Sequence, residues 1–423
     1  MGTSRRAFLA AASASAARVL TGTPSDRIRI ALVGAGGRGQ DLLSEVRRSG
    51  ENAEIVAVCD VWRTNREAMA ARVQEAFGAA PRQTTRYEEL LAMKDLDAVL
   101  IATPDFSHTK ILADAVAAGK DAYVEKPFAI EFSDAKKTYL DVQRSKQVVQ
   151  VGTQMRSEPG MIGVAAALHA GAIGKVTRGA MEVHFQEPRW RRDYSMVKPE
   201  DVDWEAFCLG GRIRRPFDAR RFRQWQLFRE TSNGIPGLWM SHYIDLAAWF
   251  LNTPYPNSAV ALGGVYLWKD GRQTTDVFQA TLEYGAAGAP GRLTRSGSAS
   301  GAEETLSRAS LESETLVTFA MSLTNAAGNR HLWFGTRGTL DATALQITGD
   351  GSLDPNRIAE PRQIEKVPLE SHMANFLRSI RSRQTPRAGV QAGFAHAVAG
   401  SMAAMSLETG RRVRFDAANL ELV

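Results

Sequence analysis

The 423-residue chain is predicted to be an α/β protein. It should begin with a doubly wound parallel sheet and continue into a second, strand-rich domain. Three observations predict this. The length exceeds what one ordinary core sustains. Between residues 28 and 152, apolar β-branched runs alternate with helix-like stretches at spacings of about 10–15 residues, the pattern of βαβ units. Beyond residue 152 that rhythm stops, and several runs alternate with period two instead. The predicted organisation is an N-terminal segment over residues 1–24, a first domain over 25–150 and a second over 151–423.

The first strand is Ile28-Arg29-Ile30-Ala31-Leu32-Val33, an apolar, β-branched run. It leads directly into Gly34-Ala35-Gly36-Gly37-Arg38-Gly39, and a helix-like stretch ends at Gly50. A second strand, Glu54 to Asp60, places an acid 21 residues after the last glycine. Strand, G-x-G-x-x-G, helix and acid together make a dinucleotide fingerprint. The glycines let the backbone approach a pyrophosphate at the helix N-terminus. Asp60 is placed for the adenosine ribose, which favours NAD, and Arg63 nearby leaves room for the 2′-phosphate of NADP.

Thr64-Asn65 is a candidate cap for the next helix, through Phe77. A third strand, 97–104, ends in Thr103-Pro104, and the helix 110–120 follows. Next comes Tyr123-Val124-Glu125-Lys126-Pro127-Phe128, a buried-looking run that ends in a carboxylate, an ammonium and a proline. Ligands of doubly wound sheets bind at the carboxyl ends of strands. Thr103, Pro104, Glu125 and Lys126 therefore belong to the expected site, with Lys126 at its nicotinamide end. Proline restrains the backbone before it. His108 borders the same region but reads as structural. The helix 133–146 and the strand 148–152 complete the unit.

In the second half, 175–185, 258–268, 276–284 and 314–323 are strand-like, while 284–304 and 349–356 read as a Gly/Ser-rich excursion and a turn cluster. His242 and Asp245 stand three apart in a helix-like segment, so they share a face, and Asp245 is placed to orient the imidazole. The other histidines are 108, 169, 184, 331, 372 and 396. None makes a metal-ligand spacing, so no metal is expected. His184 is a weak candidate for a substrate pocket. The stretch 188–230 has ten arginines and three tryptophans. Such interleaving binds sugars or anions or single-stranded nucleic acid. The plainer reading is a long loop that packs over the sheet or against another subunit.

Apolar content of 44% and charged content of 23% are those of a soluble globular protein. No run of about 18 apolar residues calls for a membrane span. The net charge of +6 falls to about +3 without Arg5, Arg6 and Arg18, too little to argue for nucleic acid. Cys59 lies in a strand-like run, which speaks against a disulfide with Cys208. Arg5-Arg6-Ala7-Phe8-Leu9 before an alanine-rich stretch resembles a Tat export signal. Periplasmic or other extracytoplasmic placement is then expected, with the Tat translocase as a partner. A non-functional signal would leave the protein in the cytoplasm.

The stretch "IATPDFSHTKILADAVAAGKDAYVEKPF" resembles the Gfo/Idh/MocA oxidoreductase family. So do "VQVGTQMRS", "LWMSHYIDLAAWF" and the C-terminal "HMANFLRSIRSRQTPRAG" and "ETGRRVRFD". The "TSRRAFL" and "GTQ" signatures are similar to its exported, glucose–fructose oxidoreductase-like branch. The resemblance implies a Rossmann domain followed by an α+β domain with an open, mostly antiparallel sheet. It implies an NAD(P)-dependent enzyme acting on a sugar or polyol, commonly as a homodimer or homotetramer. It also implies catalytic roles for Lys126 and His242. Arg156 and Tyr243 join His184 as candidates for the substrate pocket. Many members carry an aspartate four residues before the histidine, and here Leu238 stands at that place. That departure, with export, keeps a second activity in view: transient oxidation that allows a glycosidic bond to break by elimination. A sensor without chemistry is the third reading.

Overall fold

A computed structural model describes residues 26–285 and 313–423. The expected export signal and most of the 284–304 excursion lie outside the described residues.

Six parallel strands form the first sheet: β1 (Ile28–Val33), β2 (Ala53–Cys59), β3 (Arg82–Thr84), β4 (Ala98–Ile101), β5 (Asp121–Glu125) and β6 (Val149–Gly152). Their order is β3-β2-β1-β4-β5-β6, the doubly wound arrangement in which the direction of winding reverses between β1 and β4. Ile30, Leu32, Val99, Leu100, Tyr123 and Val151 are fully buried, because helices cover both faces of the sheet. The second helix starts at Arg63 with Trp62 as its cap and no side-chain capping bond. Thr64 and Asn65 therefore lie inside it rather than capping it.

Ten strands form the second sheet: β7 (Val176–His184), β8 (Ser258–Gly264), β9 (Val277–Gly285), β10 (Ser313–Ser322), β11 (Arg330–Gly335), β12 (Gly338–Asp341), β13 (Gln346–Thr348), β14 (Arg362–Gln363), β15 (Val413–Asp416) and β16 (Glu421–Leu422). The order is β14-β13-β12-β11-β7-β10-β9-β8-β15-β16. Every neighbour is antiparallel except the β7–β10 pair, which is parallel. One face packs on the helices Ser241–Phe250 and Val390–Thr409, through Phe278, Phe319, Trp333, Phe394 and Met402.

The division between domains differs from the expected one in two respects. β6 runs to Gly152 in the first sheet. The helix His372–Ser382, distant in sequence, returns to the first domain and buries Met373, Phe376, Leu377 and Ile380 against Ile30, Leu32 and Tyr123. Its apolar residues recur at i, i+3, i+4 and i+7, so one face must be covered, and the open side of this sheet covers it. Cys59 and Cys208 are both buried and unpaired.

Candidate active site

The glycine turn is shaped by close approach. Gly34 has φ +96, and a Cβ there would lie 2.5 Å from the Ala102 carbonyl oxygen. At Gly39 a Cβ would lie 2.2 Å from the Gly34 carbonyl oxygen. Gly36 and Gly37 instead face open space, at the start of the 12-residue helix Gly37–Arg48, whose first turn has no side-chain cap. Free N–H groups beside a side-chain-free surface form a cradle for phosphate. Asp60 is half-buried, directly after β2. One oxygen accepts from Ala35 N at 2.7 Å and the other from Trp62 N at 2.8 Å. Burial nevertheless pushes its carboxyl above the usual range. A carboxylate oxygen has a second lone pair, so Asp60 can still receive a ribose hydroxyl. The residues present fit a dinucleotide.

Arg38 turns away from the phosphate cradle. Its guanidinium donates to Glu125 Oε1 at 2.6 Å and to Glu45 Oε1 at 2.7 Å. Gln154 joins the same carboxylate at 2.8 Å. Glu125 and Arg38 thus stiffen the end of β5, and both line the cavity that holds the glycine cradle. Arg63 pairs with Asp201 of the second domain, so it is not free for a 2′-phosphate. Thr103 Oγ1 accepts from Ser107 at 2.6 Å. His108 has one ring nitrogen 2.7 Å from the Pro127 carbonyl and the other 2.8 Å from the Thr103 carbonyl. This is the structural role expected of it, and it clasps the two strand ends together.

Lys126 and His242 come from different domains and line one cavity of about 740 Å³. The cavity also takes in Gly34, Gly36, Gly37, Asp60, Thr103 and Pro104. The Lys126–Pro127 peptide is cis, and Lys126 Nζ donates to the Leu238 carbonyl at 2.9 Å. That carbonyl belongs to a single wide π-helical turn, Pro236–Met240, which leads into the helix Ser241–Phe250. Such turns cluster at functional sites. Burial lowers the Lys126 pKa, opposed by Glu125 and Asp105. Burial lowers the His242 pKa well below its usual value, and the Lys126 charge adds to this. The imidazole is therefore neutral at neutral pH. Its Nδ1 has no hydrogen-bond partner.

Asp245 does not orient that imidazole. Its Oδ2 accepts from Arg156 Nε at 2.7 Å, and its Oδ1 has no partner. Three residues turn a helix by about 300°, enough to carry Asp245 past His242 and into the interior. Arg156 is thereby committed to a buried ion pair and lies over Trp249 at 5.6 Å, so it is not presented to a substrate. Tyr243 packs on Phe319 and His331 at 5.5 and 5.7 Å. His184, on β7, lies 3.7 Å from Glu182. Neither is among the cavity-lining residues.

Asp105 was missed. It is 2% exposed and accepts from Ser232 Oγ of the second domain at 2.7 Å. Burial pushes its carboxyl up to about 7, against the pull of Ser232 and Lys126. The readable signal was an acid directly after Thr103-Pro104 at a strand end. The sequence reads 188–230 as a loop packing over the sheet or against another subunit, with sugar or anion binding as the alternative. Arg189, Trp190, Arg192, Phe207, Arg223 and Gln226 line the cavity, so this stretch is its roof. Among the described residues no group of three or more His, Cys, Asp or Glu side chains could hold a metal, and no helix is long and apolar enough to cross a membrane.

Residues 28–153 match the model of the GFO_IDH_MocA oxidoreductase family, described as an NAD-binding Rossmann fold. The matched region is the first domain, with its six-stranded parallel sheet and glycine cradle. Inositol 2-dehydrogenase 1 of Saccharopolyspora erythraea is 31% identical over 184 residues, 41% of this chain and 53% of that protein. Inositol 2-dehydrogenase of Gluconacetobacter diazotrophicus is 33% identical over 148 residues, 35% of this chain and 43% of that protein. The matched region thus spans about half the length of these relatives, or less. Among solved structures, the WlbA dehydrogenase of Bordetella pertussis, in complex with NADH and UDP-GlcNAcA, aligns with a TM-score of 0.65. The identity is 17%, over 92% of this chain and 99% of that one. Aldose–aldose oxidoreductase of Caulobacter crescentus aligns at 0.67 and 13%, over 92% and 100%. These two likenesses extend the shared fold through both domains.

Proposed function

We propose that the whole chain is an NAD-dependent oxidoreductase of the Gfo/Idh/MocA type that acts on a hydroxyl-bearing carbon of a sugar or polyol. One observation carries the reading. Lys126 from the first domain and His242 from the second meet in the cavity that also contains the glycine cradle and Asp60. The inositol 2-dehydrogenase relatives point the same way.

When bound, the nicotinamide supplies the hydride acceptor or donor. His242, kept neutral by burial, accepts the hydroxyl proton at a ring nitrogen. A neutral base held beside a reacting hydroxyl contributes roughly 10²–10⁴-fold. Lys126, anchored on the Leu238 carbonyl, directs its ammonium at the developing alkoxide and stabilises it in a site shielded from water. Burial lowers the Lys126 pKa, and Glu125, with Asp105 when ionised, opposes that lowering. Asp60 favours NAD, and the engagement of Arg63 with Asp201 weakens the case for NADP.

Leu238 favours a second reading. It is 8% exposed, lines the cavity with His242 and stands four residues before it, where the resemblance to the family leads one to expect an aspartate. With no carboxylate there, redox-assisted cleavage of a glycoside, with no net oxidation, remains in play. Export of the folded protein through the 1–24 segment and pairing of subunits through the open sheet belong to the same proposal.

The test is to incubate the purified protein with NAD and a panel of polyols, aldoses and aryl glycosides. Nicotinamide absorbance and product mass are then followed together. NADH formed in step with a ketone or lactone supports the dehydrogenase. Aglycone release with no net NADH supports the second reading. Neither product from any class, in protein that binds NAD, would leave the sensor as the surviving account.

A further inference from the structure

The roof of the cavity carries two guanidinium groups that form no close ion pair. Arg192 and Arg223 both line it, and neither forms an ion pair within 4.0 Å among the described residues. Arg189 is matched with Glu187, Arg212 with Asp134, and Arg215 and Arg221 with Glu230, while Arg191, Arg214 and Arg220, which also form no ion pair among the described residues, do not line the cavity. The acid nearest in effect is Asp193: hydrogen bonds from Ser195 N and Oγ at 2.9 Å each lower its carboxyl pKa, the Arg223 charge adds to this, and Asp193 does not line the cavity. Arg192 Nη1 donates to Gln226 Oε1 at 2.6 Å and reaches the Arg223 carbonyl at 3.4 Å. Burial and the Arg223 charge both lower its pKa. The Arg223 guanidinium lies over the Trp62 ring at 5.3 Å, which stiffens its fork.

Two like charges side by side in a half-buried wall repel each other and lose hydration. A bound anion removes both penalties. The planar fork of arginine suits the paired oxygens of a phosphate or carboxylate. We propose that Arg192 and Arg223 form an anion seat in the cavity roof, for a phosphate or carboxylate group carried by a ligand of the cavity.

That group has two chemical sources. One is the dinucleotide, because Trp62 lies two residues beyond Asp60. The other is an acidic substituent on the sugar-class substrate, because Arg192 is held by Gln226 on the wall opposite the Rossmann domain. The choice of source rests on the function proposed above, whereas the existence of the seat does not.

The experiment is a calorimetric titration of inorganic phosphate at low ionic strength. It is made on nucleotide-free protein and on protein saturated with NAD, for wild type, Arg192→Gln, Arg223→Gln and the double variant. The wild type should bind phosphate saturably. Either single variant should weaken this at least tenfold, and the double variant should abolish it. Persistence of the arginine-dependent binding at saturating NAD assigns the group to the substrate. Competition with NAD, together with weaker NAD binding by the variants, assigns it to the nucleotide. Arg223 makes no side-chain hydrogen bond among the described residues, so Arg223→Gln should keep the wild-type circular dichroism and melting temperature and secures the test if Arg192→Gln misfolds. Phosphate binding by Arg223→Gln equal to that of wild type would overturn the seat, as would wild type without saturable binding. Failure to bind NAD would sink the proposed function and leave the phosphate result readable.

Discussion

The floor and the roof of the cavity are built in opposite ways. The floor is a set of strand ends in one parallel sheet. Gly34, Asp60, Thr103 and Lys126 each stand at the carboxyl end of a strand or in the turn that follows. Backbone contacts such as Ala35 N to Asp60 and the two carbonyls at His108 lock them in place. The roof is a long irregular stretch of the second domain, secured to the floor by separate contacts. Trp62 and Val202 form an isolated antiparallel bridge. Asp203 bonds Thr85 and Arg86 at 2.7 and 3.1 Å. Trp62, Phe106 and Ile130 pack with Phe207, Ile213 and Phe222 in one buried cluster. The floor positions reacting groups rigidly, while the roof brings bulk and charge to them through side-chain contacts between domains.

Changes to the floor should therefore remove chemistry, and changes to the seam should loosen the assembly. Lys126→Met should slow hydride transfer by roughly 10³-fold, about 4 kcal/mol of barrier. NAD affinity should stay within a few-fold, since the glycine cradle is untouched. Single-turnover kinetics beside NAD titration read both, and near-normal turnover would break the contrast at its centre.

Asp245→Asn leaves the Arg156 guanidinium buried without its counter-charge. The expected loss is about 3 kcal/mol of folding stability, read as a lower urea midpoint. An unchanged midpoint would show that the helix bearing His242 is held by apolar packing alone.

Asp105 sits at the seam itself. Its folded pKa of about 7 lies above the ordinary 3.8. The protonated form is therefore favoured by folding, and that stability is present at low pH and lost as pH rises from about 4 to about 7. Asp105→Asn removes this titration and keeps an oxygen for Ser232. Relative to wild type it should gain on the order of 2 kcal/mol between about pH 4 and about pH 8. Parallel stability curves for the two proteins would place the Asp105 carboxyl in a wetter setting than the seam provides.

The smallest effect belongs to Arg63→Gln. The Arg63–Asp201 pair is largely exposed on the arginine side, so its loss should cost about 0.5 kcal/mol. A much larger loss would mean that this pair, rather than the cluster around Phe207 and Phe222, holds the roof down.

The part of the site that could be read from the sequence is the part built from short-range order. β1, the glycine turn and the acid at the end of β2 follow one another within the span from Ile28 to Asp60, and the sheet winds as their alternation requires. Lys126 was placed correctly at a strand end, because proximity to that end follows from the βαβ unit. The six-residue β11 was not recognised, nor were β3 and the short strands β12 to β16. Two to four residues carry too little alternation, and pairing with a neighbouring strand supplies the stability their own sequence lacks.

What the sequence by itself determined is the parallel sheet, the nucleotide cradle and the candidacy of Lys126 and His242. The sheet and the cradle rest on spacing along the chain, the catalytic candidacy on the resemblance to the Gfo/Idh/MocA family. Only the tertiary structure decided that Asp245 turns inward to Arg156, that Asp105 meets Ser232 across the seam, and that the stretch from 189 to 226 covers the cavity. Those contacts join residues about 90 to 140 positions apart. Nothing local in the chain fixes which side chain fills which gap, because that choice is made by packing and by the cost of burying an unpaired charge.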